Sequence, residues 1–289
     1  MALRLLRDDR AMTFADTVQT PYQRFRSLEK KYKFTLPARL VGIVYSSADF
    51  AWWRFMHPGA SFADYYAGRI SRQLDQGGGH PTLGKRQLFP SKPFAPSAPI
   101  HIADQRRRGR HEFQFLLQMG LRPEHTCIDY GCGSLRIGQH LIDYLDSRHY
   151  WGLDITDRFF RDGRDLLPAR QVETKQPNLH VISAKNLRQA GLINPDFVIS
   201  FSVLSHVPPA ETGVFFDRIV GLMGDTTKLL VSFRESTRNF RAAGKGWARD
   251  AETVESLIRT RRPQSDIVFH REIKKKAGYP QWKTIVVVS

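Results

Sequence analysis

Cysteine is scarce in this 289-residue chain, with two residues, Cys127 and Cys132, both in or beside one glycine turn. So few thiols exclude a disulfide-built scaffold, and no His, Cys or Asp cluster has metal-ligand spacing, so no metal is expected. We read both cysteines as small strand and turn residues in a reducing compartment. No uncharged apolar run reaches the ~18 to 20 residues that a bilayer span needs. The nearest, residues 40–53, is short and contains Asp49. The first ten residues include Asp8 and Asp9 and no clean apolar stretch, unlike a secretory signal, so a cytoplasmic protein is expected. Internal repeats are lacking. Acidic residues are in short supply, 28 against 44 Lys and Arg, for a net charge of +16. Residues 1–110 hold 19 basic and 8 acidic residues and residues 111–289 hold 25 and 20, so the excess lies toward the N-terminus. A basic surface attracts phosphates, acidic polysaccharides or anionic lipid, or serves solubility alone.

A hydrophobic content of 41% is enough for a large domain plus an accessory region. Residues 1–75 are basic, with ten aromatics between Tyr32 and Tyr66. Such density predicts a small packed core, or a stacking platform for bases or sugars. Within it, residues 62–70 read as a helix with Ser61 as N-cap. Residues 76–102 combine Gly77, Gly78 and Gly79 with five prolines and read as a linker or lid. From residue 103 the hydrophobic period alternates. Helices are predicted over 103–119, 134–145, 157–167, near 187, 209–223 and 252–260. Strands are predicted over 125–130, 150–154, 179–183, 196–201, 228–233, 267–272 and 284–288. That alternation predicts an α/β, doubly wound Rossmann-like sheet with a terminal antiparallel strand pair joined by residues 278–281. The basic, aromatic-rich N-terminal region precedes it.

The most informative residues are Cys127-Ile128-Asp129-Tyr130-Gly131-Cys132-Gly133-Ser134-Leu135-Arg136. They read as a buried strand, a glycine turn and a helix start. Glycine lets a ligand approach the backbone, and a helix start offers N–H groups. The next strand ends in an acid, Asp154, 23 residues after Gly131. An acid there can accept from two ribose hydroxyls. A dinucleotide fingerprint would need a glycine where Arg136 stands. Asp129 beside the turn would repel a diphosphate and suits an ammonium or sulfonium.

On these motifs, together with Phe201-Ser202-Val203-Leu204-Ser205-His206-Val207 after the fourth strand, the chain resembles the class I S-adenosylmethionine-dependent methyltransferases over roughly residues 105–289. The resemblance implies S-adenosyl-L-methionine as cofactor. It places Gly131 and Gly133 under the methionine part, Asp129 near its amino group and Asp154 at the ribose, with Ser134 and Ile155 also cofactor-binding. Lys185 would lie near adenine, and Phe201 and Ser202 would border the methyl donor. Arg136 is read as a solvated helix residue rather than a carboxylate clamp.

Methyl transfer to a hydroxyl needs a base. His206, following the fourth strand, is the first candidate, and Glu235, after the fifth, the second. His80, His101 and His111 have no assigned role. The residues after the fourth strand lack the Asn/Asp-Pro-Pro-aromatic motif of amino-methylating nucleic-acid enzymes, and neither cysteine has the Pro-Cys context of a cytosine-C5 enzyme. The expectation is O-methylation of a small molecule, sugar or glycan, with the N-terminal region as a substrate cap whose basic charge would suit an anionic acceptor. Two alternatives stand beside it: an RNA or nucleoprotein methyltransferase with a basic docking region, and a non-catalytic S-adenosylmethionine-binding module.

Overall fold

The computed structural model describes residues 49–75, 109–237, 240–242, 246–274 and 281–289. The expected linker 76–102, with His80 and His101, and most of the connection 278–281 lie outside the described residues. The chain divides into two compact units, Met1–Gly59 and Ala60–Ser289. In the first, residues 49–56 are helical. Trp52 stacks on Phe55 with ring centroids 6.0 Å apart, and Trp53 stacks on His57 at 4.3 Å.

The second unit holds nine strands among its described residues: β1 (Cys127–Tyr130), β2 (Tyr150–Asp154), β3 (Asn178–Val181), β4 (Phe197–Ser200), β5 (Lys228–Glu235), β6 (Phe240–Ala242), β7 (Gly246–Ala248), β8 (Ile267–Lys274) and β9 (Gln281–Val288). Seven form one sheet in the order β3-β2-β1-β4-β5-β9-β8, and β6 and β7 form a small hairpin. Strands β1 to β5 run parallel, and β9 is antiparallel to β5 and β8. The predicted doubly wound sheet with its terminal antiparallel pair is present.

Eight helices of this unit are described: α1 (Phe62–Asp75), α2 (Arg110–Gln118), α3 (Gly138–Tyr144), α4 (Asp157–Arg164), α5 (Ala169–Lys175), α6 (Ala184–Leu192), α7 (Thr212–Val220) and α8 (Ala251–Arg259). A strand sends successive side chains to opposite faces. Accordingly Leu229 and Val231 of β5 pack with Phe216 and Ile219 of α7 and Val254 and Ile258 of α8. Leu230, between them, joins the other core with Leu116 of α2 and Leu141 and Ile142 of α3. Each such buried side chain contributes about 1.5–3 kcal/mol. Covering both faces explains why β1 and β4 are buried throughout.

The helix expected from residue 134 starts at Gly138, because Leu135 adopts a left-handed backbone (φ 58°) that no α-helix continues through. Helix α5 has no buried residue, and hairpin β6–β7 has three-residue strands, so neither produced a hydrophobic period to read. Helix α1 starts with a reciprocal cap at Ser61. Asp64 N donates to Ser61 Oγ at 3.2 Å, and Ser61 N donates to Asp64 Oδ2 at 2.8 Å. It runs past residue 70 to Asp75 and belongs to the second unit. Among the described residues no helix is long and apolar enough to cross a membrane.

Candidate functional site

Strand order reverses between β1 and β4, where crossovers leave in opposite directions. The carboxyl ends of such strands frame a crevice. A cavity of about 200 Å³ lies there. Its floor is the turn after β1. Gly131 N and Cys132 N donate to Leu153 O at 2.7 and 3.1 Å, which ties the turn to β2. Gly131 (φ 83°) leaves no room for a side chain, because a Cβ would collide with Val203. Gly133 (φ 55°) differs: a Cβ there would meet nothing within 4 Å, since the position opens on the cavity.

Two acids flank this turn, and both are buried, Asp129 at 3% and Asp154 at 5% exposure. Tyr150 Oη donates to Asp129 Oδ2 at 3.0 Å. Gly138 is needed in α3 because a Cβ there would strike the Tyr150 hydroxyl. Burial pushes the Asp129 carboxyl up to about 7; the Asp154 charge adds to the rise, while Tyr150 and Arg136 oppose it. Asp154 accepts from Gly133 N through Oδ2 and from Ile155 N through Oδ1, each at 2.8 Å. Burial raises its carboxyl to about 6 against those backbone donors. Thr156 N also bonds this carboxylate, which with about four acceptor sites keeps capacity for a ribose hydroxyl. Two buried acids beside an open glycine fit a nucleoside with a cationic end.

Of the residues proposed from sequence, Asp129, Gly131, Gly133, Ser134, Asp154, Ile155, Phe201, Ser202 and His206 all line this cavity. Ser202 takes a left-handed backbone (φ 68°), and its N–H donates to Ser232 Oγ at 2.7 Å. Lys185 does not line it; the side chain is exposed on the first turn of α6, and Ile182 lines the cavity after β3 instead. Nor does Glu235. Its carboxylate accepts from Arg271 Nε at 2.8 and 3.0 Å and from Thr284 Oγ1 at 2.5 Å, so it is an internal ion-pair partner.

Arg136 is not a solvated helix residue. It lines the cavity, and its Nη1 donates to Glu112 Oε1 at 2.9 Å. Lys283 Nζ donates to the same oxygen at 2.7 Å. Burial would raise the Glu112 carboxyl, but the Lys283 hydrogen bond and the Arg136 and Lys283 charges outweigh it and hold the group at about 2.

The far end of the cavity is lined by Phe62, Ala63 and Tyr66 of α1 and by His206, Val207, Pro208 and Glu211. Phe62 N donates to Glu211 Oε1 at 2.6 Å, and Phe62 packs edge-on to Trp247 at 5.2 Å. Tyr66 stacks on His206 with centroids 5.7 Å apart. Arg249, buried, donates to Val207 O at 2.7 Å and Thr212 Oγ1 at 3.1 Å and so anchors the loop after β4. The cavity leaves the His206 ring exposed, yet crowding by its neighbours and the Arg234 charge lower its pKa. Sequence reasoning missed Glu112, Tyr150, Tyr66 and Glu211, which act through long-range contacts without a local motif.

Residues 128–229 match the family model described as a methyltransferase domain. No curated protein matches the sequence. The fold is similar to that of magnesium protoporphyrin IX methyltransferase from Synechocystis PCC 6803 with bound S-adenosylmethionine, at TM-score 0.54 and 14% identity, covering 81% of this chain and 100% of that one. The same enzyme with bound S-adenosylhomocysteine gives TM-score 0.50 at 15% identity, covering 78% and 98%. Strand order, glycine turn and family match agree: residues 128–229 match a methyltransferase domain, and the sheet that holds them has the Rossmann-like methyltransferase fold.

Proposed function

We propose that this protein methylates an oxygen of a small-molecule acceptor. One observation carries the reading: a single cavity runs from the glycine turn to His206 and is lined at its far end by the aromatic residues of α1. When bound, S-adenosylmethionine supplies a methyl carbon activated by a sulfonium. Asp154 accepts from the ribose hydroxyls, Asp129 faces the ammonium, and Gly133 leaves the space they need. The protein's contribution is alignment and exclusion of water. Phe62, Tyr66, Phe201 and Val203 supply the apolar walls for that.

His206 accepts the acceptor's hydroxyl proton. Its lowered pKa keeps it neutral at pH 7, the form a base requires, and the exposed ring can pass the proton to water. The far end is lined by the rings of Phe62 and Tyr66 and carries no Lys or Arg, which favours a small acceptor over an RNA chain. We propose α1, rather than the whole N-terminal region, as the part of the cap that touches the acceptor.

The test is transfer of a labelled methyl group from S-adenosylmethionine by the full chain to a small-metabolite fraction and, in parallel, to total RNA. Label in a small molecule supports the reading. Label confined to RNA transfers the assignment to a nucleic-acid enzyme. Cofactor binding without turnover on either fraction makes the chain a binding module.

A further inference from the structure

Three rings that line the far end of the cavity, those of Phe62, Tyr66 and His206, form one nearly parallel row. Phe62 stacks on Tyr66 with centroids 6.2 Å and planes 20° apart, and Tyr66 stacks on His206 at 5.7 Å and 29°. Trp247 of the β6–β7 hairpin braces Phe62 edge-on. Positions 62 and 66 are one helical turn apart, so α1 presents both rings on one face. The row is held from two sides. Glu211 Oε1 accepts from Phe62 N and fixes the start of α1, while Arg249 donates to Val207 O and fixes the loop that carries His206. A flat partner can lie along such a row, whereas a puckered ring meets it at a few atoms.

Glu211 is the one charged residue lining this end among the described residues. Arg234, whose charge acts on His206, and Arg249, beside Asp250, do not line the cavity. Two acids thus stand against two arginines, and neither arginine is presented to a ligand. An anionic acceptor would lose water here without meeting an opposite charge. A sugar would bring several hydroxyls, each needing a partner, to an end lined mostly by rings and aliphatic side chains.

We infer that the methyl acceptor is a neutral, planar phenol that lays its ring along Phe62 and Tyr66 and turns its hydroxyl to His206. The inference rests on the O-methylation reading above and names its acceptor class. A phenol hydroxyl, of pKa about 10, yields its proton to an imidazole far more readily than an alcohol does. The phenol oxygen bonds the methyl carbon as the carbon–sulfur bond breaks. The electron pair of that bond stays on the departing sulfur, and the phenol proton goes to His206 and on to water. Phe62 and Tyr66 are then the specificity-determining residues.

The experiment uses the full chain and four probes: methyl para-hydroxybenzoate, its free acid, its saturated-ring analogue and methyl glucoside. Each is tested for label from S-adenosylmethionine and, by calorimetry, for binding to protein loaded with S-adenosylhomocysteine, which needs no turnover. The neutral phenol is expected to bind and take label. The free acid and the saturated analogue should each bind at least about tenfold more weakly. Tyr66→Leu should weaken the phenol about 3- to 10-fold, leave the saturated analogue and S-adenosylmethionine nearly unchanged, and so erode the preference for a flat ring, which general loss of structure would not do. Tyr66→Phe should keep that preference, and Phe62→Leu covers the case in which Tyr66→Leu does not fold. No binding of the phenol, no penalty on the acid or the saturated ring, or an undiminished preference in both leucine variants overturns the inference. Label on the glucoside but not on the phenol overturns it while O-methylation stands. A phenol that binds with these preferences and takes no label overturns the O-methylation reading and leaves the ring site in place.

Discussion

Donor binding is predicted to expel a proton from Asp129. In the free protein burial holds this carboxyl at about 7, so about half the molecules carry the proton at pH 7. An ammonium docked at the turn favours the ionised form and draws the pKa back toward the ordinary carboxylate range. Binding at pH 7 therefore releases about 0.5 proton from this group. A donor amino group of ordinary pKa takes up about 0.1 to 0.2, which leaves a net release of roughly 0.3 to 0.5. Asp154, held at about 6, adds no more than about 0.1 at this pH. The sign follows directly: the raised pKa favours the neutral acid below pH 7, the neutral acid cannot pair with a cation, and affinity falls as pH drops. At pH 6 the cost of ionising Asp129 is about 1.4 kcal/mol, or tenfold in affinity. Calorimetric titration in two buffers of different ionisation enthalpy reads the proton count from the difference in heats. Asp129→Asn should abolish most of the release. Zero release or net uptake by the wild-type protein, or undiminished release in the variant, would refute the reasoning.

Three further outcomes are expected. Asp154→Ala should weaken donor binding by about 1–3 kcal/mol, since buried N–H groups of Gly133 and Ile155 lose their acceptor together with the ribose; unchanged affinity in a folded variant removes Asp154 from the ribose site. His206→Ala should lower turnover with donor affinity nearly constant, and equal turnover of the two proteins eliminates it as the base. Gly131→Ala should cost roughly 1–3 kcal/mol in urea unfolding, from left-handed backbone strain and collision with Val203. Adding Val203→Ala should return the collision part of that loss, and a double variant no more stable than Gly131→Ala alone counts against the contact.

The middle of the sheet was legible because β1, β2 and β4 are buried nearly throughout and bounded by turn residues. Strand β2 falls on the predicted residues 150–154. The spacing from glycine turn to acid was legible for the same reason: parallel neighbours in register bring Asp154 over Gly133. Glu235 was misplaced because β5 does not stop at Phe233. It continues to pair with β9 as far as Trp282, so Glu235 lies inside the sheet, where Arg271 meets it. Lys185 was misplaced because Ser183 caps α6 through Asn186 N and puts the lysine on a helix surface. Glu112 could not be found from sequence. Its partners lie 24 and 171 residues away, and an isolated Glu in an amphipathic helix reads as solvent-facing.

The site's electrostatics explain why these residues are worth their cost to the fold. Ionised Asp129 and Asp154 are each disfavoured by burial. A core chosen for stability alone would carry neither of them. Fixed on a sheet whose strands are held by two hydrophobic cores, they stay aimed at one cavity without rearranging when charge arrives. On the proposed reading, a ligand with both an ammonium and a vicinal diol answers Asp129 and Asp154 at once, whereas a ligand with one of these groups leaves the other acid unanswered. Selectivity for such a donor then comes from the penalty on incomplete partners as much as from the contacts made.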